Sequence, residues 1–352
     1  MSTVQTRFPG AMGPEGFISC FDHLLDESLL RRMLILKGGP GVGKSTFMRR
    51  LHAALTAGGE SSTLYFCSGD PDSLDALAIP DRGLLVLDGT APHIVDPKIP
   101  GARDSIINLG SCLSETAMRP RLPHIRACML DHAACSRRAR AFMQTIHALR
   151  REAAASVAEC LDSGRLARMI AALTTSVLPE KGTSGKAAHV RPVITDAVTP
   201  KGEVCLLCSS QTQRVIRLVH PFGMDMTPVL RALSRAAQHA GYDVEEHLSP
   251  MMPGSLMHLS IPQLATLITT SDKLTSEQTF DFAACLPPGS LLRRECALEQ
   301  SRAAIIRHTQ HAVDALAQAK QLHDELETFY VPNMDFAAWQ KIYDQTLESL
   351  QA

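Results

Sequence analysis

Residues 32–80 and 214–262 can be laid on one another without a gap, and a repeat of that length restricts the fold to two copies of one unit. Gly41 falls on Gly223, and 223 minus 41 is 182. The same offset sets Ser45 on Thr227, Leu51 on Leu233, and "PDSLDALAIP" on "PGSLMHLSIP". Upstream, "GPEGFISC" answers "TPKGEVCL" with a small shift, and downstream Asp88 falls on Thr270. The length agrees, because 352 residues exceed what one hydrophobic core usually organises.

The first copy contains "RMLILKGGPGVGKSTFMRRLHAAL". A short apolar run of strand character enters a glycine loop, and Phe47, Met48, Leu51, Ala54 and Leu55 then recur at helical spacing. Within this strand, loop and helix, Gly38-x4-Gly43-Lys44-Ser45 fits the phosphate-loop (Walker A) pattern in every required position. Glycines let main-chain N–H groups close around a polyphosphate, and the helix start adds its positive dipole end. The expected cradle is Gly38, Gly39, Pro40, Gly41, Val42, Gly43, Lys44, Ser45 and Thr46. In it Lys44 meets the β- and γ-phosphates, Ser45 ligates Mg²⁺ and Thr46 assists at the α-phosphate.

"GLLVLDGT" supplies the apolar strand that should follow, ending in Asp88 as the second Mg²⁺ ligand. Gly89 stands directly after it, where many ATPases carry a glutamate, so the general base is not identified. Asp70, Asp72 and Asp75 bunch at the end of the intervening strand, the edge where open α/β sheets bind ligands. Asp72 and Ser73 fit a short helix cap equally well; the functional reading has Asp70 or Asp72 orient water or touch substrate. On the Pro-rich loop after Asp88, Thr90, His93 and Asp96 reach the same edge, with His93 the candidate γ-phosphate sensor.

In the second copy, "HPFGMDMTPVLRAL" keeps the outline and loses the chemistry. Lys44 becomes Met226, Asp70 becomes Met252, Asp72 becomes Gly254 and Asp75 becomes Met257. A thioether cannot neutralise a triphosphate, so this copy is expected to serve shape or regulation. Helical periodicity follows each unit, over 122–173 with a break at "DSG" and over 298–350 with a break at "YVPNMD", and predicts two antiparallel helical hairpins. The fold class is therefore α/β. Its expected parts are a phosphate-loop lobe with a parallel sheet and flanking helices (1–118), a hairpin (119–179), a linker (180–192), a degenerate lobe (193–290) and a second hairpin (291–352).

Composition narrows the class of partner. The 45% apolar and 20% charged fractions are those of a folded globular chain, no apolar run reaches membrane-spanning length, and no export signal is visible, so a cytoplasmic location is expected. A net charge of −1 gives no general attraction to nucleic acid. The arginine-rich stretch 119–151 reads first as a solvated helical face, with Arg137, Arg138 or Arg140 as candidates to complete a neighbouring site. "HDELE" at 323–327 likewise reads as an exposed face. The ten cysteines form no framework, and Cys205-x-x-Cys208 has the apolar interior of a buried strand.

Taken together, "ILKGGPGVGKST", "DPDSLDALAIP", "LDGTAPHIVDPKIPGARDSIINLG", "TPKG" and "HDELETFYVPNMDF" resemble a family of uncharacterised bacterial proteins built from two tandem phosphate-loop ATPase halves. The resemblance runs from about Gly16 onward. It implies ATP as the nucleotide, with Lys44, Ser45 and Asp88 at the family's phosphate and metal positions and Asp70, Asp72 and His93 in its signature stretches. That family often keeps a phosphate loop in its second half, and this sequence does not. The expectation is a slow Mg²⁺-dependent ATPase. A small-molecule or nucleoside kinase and a nucleotide-gated scaffold are the alternatives, and a protein partner or a homo-oligomer is left open.

Overall fold

The computed structural model describes residues 4–91, 93–179, 188–207 and 213–351. Its first half contains β1 (Val4–Arg7), β2 (Gly10–Gly13), β3 (Gly16–Ser19), β4 (Arg32–Lys37), α1 (Lys44–Leu55), β5 (Ser62–Phe66), β6 (Leu74–Ile79), β7 (Leu84–Asp88), β8 (Asp104–Asn108), α2 (Glu115–Met118), α3 (Leu122–Ala158) and α4 (Ser163–Val177). The second half repeats the series as β9 (Val190–Val193), β10 (Asp196–Thr199), β11 (Gly202–Cys205), β12 (Arg214–Val219), α5 (Thr227–His239), β13 (Val244–Leu248), β14 (Leu256–Ile261), β15 (Thr266–Thr269), β16 (Gln278–Asp281), α6 (Glu295–Tyr330) and α7 (Phe336–Gln351). The strand pairs opening at Arg32 and Arg214, Ser62 and Val244, Leu74 and Leu256, and Leu84 and Thr266 all stand 182 residues apart, so the repeat read from sequence is a repeat of structure.

Each half forms a six-stranded sheet. The orders β1-β5-β6-β7-β4-β8 and β9-β13-β14-β15-β12-β16 are the same topology twice. The expected parallel sheet is in fact mixed. β4 runs parallel to β7 and β8, but β6 runs antiparallel to both β5 and β7. The links around β6 are too short for a parallel crossover, which needs a dozen or more residues. One of them turns at Gly83, whose φ is 59°. β4 sits inside the sheet, and Met33, Leu34, Ile35 and Leu36 are all buried, as a strand covered on both faces requires. On α1, Phe47, Met48, Leu51 and Leu55 give one buried stripe against it.

The two halves meet at equivalent residues. Phe8 and Ile194 form an antiparallel bridge, with the Phe8 N–H donating to the Ile194 carbonyl at 2.9 Å. Beside this seam Arg7 of β1 reaches Glu245 of β13 at 2.7 Å, and Arg191 pairs with the same carboxylate. Burial alone would raise the Glu245 carboxyl, but the two guanidiniums hold it down at about 2.

The expected hairpins do not form, because each long helix pairs with its counterpart instead of folding back on the short helix after it. α3 and α6 lie antiparallel: Cys128 Sγ reaches the Leu322 carbonyl at 3.1 Å, and farther along Phe142 stacks on His308 at 5.9 Å. The short helices are thereby exchanged. α7 seats Trp339 and Tyr343 edge-on to Phe47 of α1 in the first lobe, at 5.6 and 5.4 Å. α4 sends Leu173 and Val177 into the second lobe's core with Leu230 and Leu233. The exchange completes each core, since Phe47 of α1 and Leu230 and Leu233 of α5 are packed by a helix of the other half. Of the expected linker, 180–187 lies outside the described residues, while Val190–Val193 is an edge strand. Cys205 closes β11, and Cys208 lies outside the described residues. Among the described residues no helix is long and apolar enough to cross a membrane.

Glu245→Ala leaves the Arg7 guanidinium, 5% exposed, without its countercharge. The variant should lose about 3–5 kcal/mol of stability at pH 7. The folded Glu245 value of about 2 lies below the ordinary 4.5. Its stabilisation is therefore present at neutral pH and lost as pH falls through 2, so denaturant curves of the two proteins should converge in acid.

Candidate functional site

The glycine loop leaves the end of β4, in the middle of the sheet, and closes at the first residue of α1. Gly38 and Gly43 have φ of 153° and 82°. A side chain at Gly38 would meet Val42 Cγ2 at 2.6 Å, so glycine is required there by both torsion and space. Lys44 folds over the loop, its ammonium donating to the carbonyls of Gly38 at 2.8 Å and Gly39 at 2.9 Å and lying 3.4 Å from Asp88 Oδ2. Asp88 Oδ1 accepts the Thr90 backbone N–H at 2.9 Å and the Thr90 hydroxyl. Ser45 Oγ accepts the Leu74 N–H at 2.9 Å, tying the helix start to β6.

The antiparallel course of β6 puts its N-terminal end at the edge where β4 and β7 finish. Ala76 pairs with Leu87, so Asp75 stands across from Asp88. Burial, then the Asp88 charge, pushes the Asp75 carboxyl up to about 7. Cys67 shares a hydrogen bond with it, and its thiol is driven up by burial and by Asp75. His93 Nε2 lies 3.7 Å from Asp75 Oδ2, with the imidazole between Phe17 at 4.4 Å and Phe21 at 4.7 Å. Burial lowers the His93 value, which keeps the ring neutral at pH 7.

The other half roofs this loop. A side chain at Gly39 would strike Tyr330 at 2.7 Å, one at Gly41 would meet Val331 at 2.9 Å and Glu327 at 3.3 Å, and one at Gly43 would meet Trp339 Nε1 at 3.1 Å. The end of α6 and the start of α7 thus press directly on the loop. Trp339 Nε1 is buried without a hydrogen-bond partner among the described residues.

The second lobe keeps the scaffold without the loop geometry. Thr227 Oγ1 accepts the Leu256 N–H at 3.1 Å, just as Ser45 does for Leu74. Yet Gly38 and Gly43 become His220 and Asp225, and Ala265 is the only non-glycine at positive φ among the described residues. The two left-handed turns that aim N–H groups inward are therefore gone along with the lysine. The Asp225 carboxylate instead accepts the Thr227 N–H at 2.9 Å at the start of α5.

Of the residues singled out by sequence, Gly38, Gly39, Pro40, Gly41, Val42, Gly43, Lys44, Ser45 and Thr46 form the loop and helix start, with Asp88 beside Lys44 and His93 one side chain away. Asp70 lies at the rim, 3.5 Å from Lys320 of α6. Asp72 is exposed, paired with Lys201 of the second half, and no helix starts there for it to cap: the chain turns and enters β6 at Leu74. Arg138 stacks over Phe142 at 6.0 Å, and Arg140 lies by Gly16, where a Cβ would be 4.0 Å from its guanidinium. Asp75 is the carboxylate that reaches the site, and its signal was a lone charge inside the apolar run "LDALAI", every residue of which is buried in β6. Glu327 of "HDELE" packs on Gly41 instead of facing only solvent.

No family model, no curated protein and no solved structure matches this chain. Fold and site define an α/β protein of two equivalent lobes, one with an intact glycine loop and a facing pair of carboxylates at its mouth, the other with neither at the equivalent positions.

With its folded value of about 7 above the ordinary 3.8, Asp75 costs stability that grows as pH rises from about 4 and is complete above about 7. Asp75→Asn should therefore be more stable than the parent by roughly 2–4 kcal/mol at pH 8, with the gain shrinking toward pH 4. Thermal melts in EDTA across that range measure it.

Proposed function

We propose that this protein binds ATP with Mg²⁺ in its first lobe and hydrolyses it slowly, and that the second lobe does not share that activity. One observation carries the reading: the loop 38–43 has left-handed glycines at 38, 41 and 43, and Lys44 and Asp88 converge at its mouth. The resemblance to tandem phosphate-loop ATPases supports the same conclusion.

The donor set fits a hard divalent cation that arrives with its nucleotide. Asp88 and the Ser45 hydroxyl offer hard oxygen donors at the loop's mouth, with the Lys44 ammonium 3.4 Å from Asp88, and the facing Asp75 carboxyl is raised by burial and by the Asp88 charge that such a cation would offset. Among the described residues there is no group of three His, Cys, Asp or Glu side chains that could hold a metal ion. Ser45 and Asp88 are the residues to hold Mg²⁺, which when bound withdraws charge from the transferred phosphoryl group.

Lys44 exchanges its two carbonyl partners for β- and γ-phosphate oxygens, and the loop N–H groups take the remaining charge. Asp75 is the base. Its carboxylate accepts a proton from water as the water oxygen bonds to the γ-phosphorus, and the bond to the bridging oxygen breaks with its electron pair passing to ADP. Inorganic phosphate leaves, and Asp75 returns the proton to solvent. Asp70 and Asp72 are held by lysines of the second half and take no part in the chemistry. The roof of Tyr330, Glu327 and Trp339 favours a second role, in which nucleotide binding shifts α6 and α7 and so reports across the two halves.

Trp339 is the one tryptophan of the chain, so its emission reads the loop directly. ATP should change that emission, and Lys44→Ala should weaken ATP binding at least about 100-fold. Unaltered affinity in this variant refutes the assignment. Turnover should rise with pH as the Asp75 carboxyl, raised by burial, ionises. Asp75→Asn should lose about 10²- to 10⁴-fold in kcat together with that pH dependence while still binding ATP.

A further inference from the structure

The second lobe's altered loop borders a cavity of about 280 Å³, lined by Met226, Met252 and Met257 and by Arg150 of α3. Under the repeat these methionines stand where the first lobe has Lys44, Asp70 and Asp75, and Thr270 stands for Asp88. Each of these four charged groups has become neutral, three of them by the same flexible thioether, while Asp225, at the Gly43 position, is the one carboxylate among the described residues that lines this cavity. Simple decay of a nucleotide site would let the core close over it. Here the space persists, with Met224 as a further wall.

A cation has returned from another direction. Arg150 lies beyond the end of the lost loop, and its nearest acidic partner among the described residues is the half-exposed Glu203 at 4.0 Å, too long for a hydrogen bond. The same guanidinium also lines an adjoining chamber of about 200 Å³, bounded by Asp196, Glu203 and Lys273. Asp196 is already paired with His258 at 3.0 Å, and burial weighs on the charged form of Arg150. A guanidinium presents a planar fork suited to a carboxylate, and a methionine wall adapts to an apolar body of varied shape.

We propose that this cavity is a binding site for a small amphipathic carboxylate, its apolar body among the methionines and its carboxylate on Arg150. The site is independent of nucleotide chemistry in the first lobe and stands whether or not that lobe hydrolyses ATP.

Octanoate and 1-octanol are the probes, and the methyl resonances of ¹³Cε-methionine in the full-length protein are the readout. Octanoate should shift the Met226, Met252 and Met257 signals saturably, assigned by single Met→Leu variants, and 1-octanol should do so about 10-fold or more weakly. Arg150→Leu should weaken octanoate about 10-fold or more and leave the 1-octanol shifts in place, which shows that the cavity is still formed. Equal binding of the two probes, octanoate affinity unchanged in Arg150→Leu, or shifts confined to other methionines would each overturn the proposal, as would loss of the 1-octanol shifts together with the octanoate shifts.

Discussion

The antiparallel pairing of α3 with α6 is the constraint on which the remaining architecture depends. Once these helices lie against one another, α4 and α7 are delivered to opposite lobes, and neither sheet has a complete core without the other half's helix. Trp339 and Tyr343 are as much part of the first lobe's interior as Phe47 and Leu51. Leu173 and Val177 belong in the same way to the second. Burial of such side chains contributes about 1.5–3 kcal/mol each, so separating the halves would forfeit a large share of a typical domain's net stability. The bridge between Phe8 and Ile194 and the buried pair of Arg7 with Glu245 fix the register of this exchange, because a buried charge tolerates no displacement from its partner.

The exchange also builds the two sites. The β4–α1 and β12–α5 loops are each covered by a long helix from the other half: Glu327 and Tyr330 press on Gly41 and Gly39, while Ala153 and Val157 press on Gly223. The same pseudo-symmetric contact is thus made twice, over two loops of opposite chemistry. In the first lobe it covers left-handed glycines next to a lysine and its carboxylate partner. In the second it brings Arg150 to a cavity of methionines. A ligand at either loop therefore meets residues of both halves, and the paired helices connect one roof to the other.

Much of this was legible in the amino-acid order. The duplication, its offset, the strand–loop–helix context of residues 32–55, and the loss of Lys44 and the aspartates from the second copy all follow from local spacing and residue type. Local rules also place the breaks at "DSG" and "YVPNMD". What they could not supply was partner choice. Two long amphipathic helices read alike whether they fold back on their successors or pair with one another, since the apolar stripe is the same in both cases. Nor could spacing rank Asp70, Asp72 and Asp75. All three lie within six residues, but one is drawn off by Lys320, one by Lys201, and only Asp75 enters a strand whose antiparallel direction carries it to Asp88.

The sequence by itself determined that there are two copies of one α/β unit and which copy retains the glycines and the lysine, because torsional freedom and charge are properties of the residues themselves. Only the tertiary structure decided that the copies exchange helices, that Trp339 and Tyr330 lie over the first loop, that Arg150 lies over the second, and that Asp75 faces Asp88. Those are contacts between residues distant in the chain. Their selection depends on which pairing of apolar faces leaves the least surface in water and the fewest buried charges unpaired.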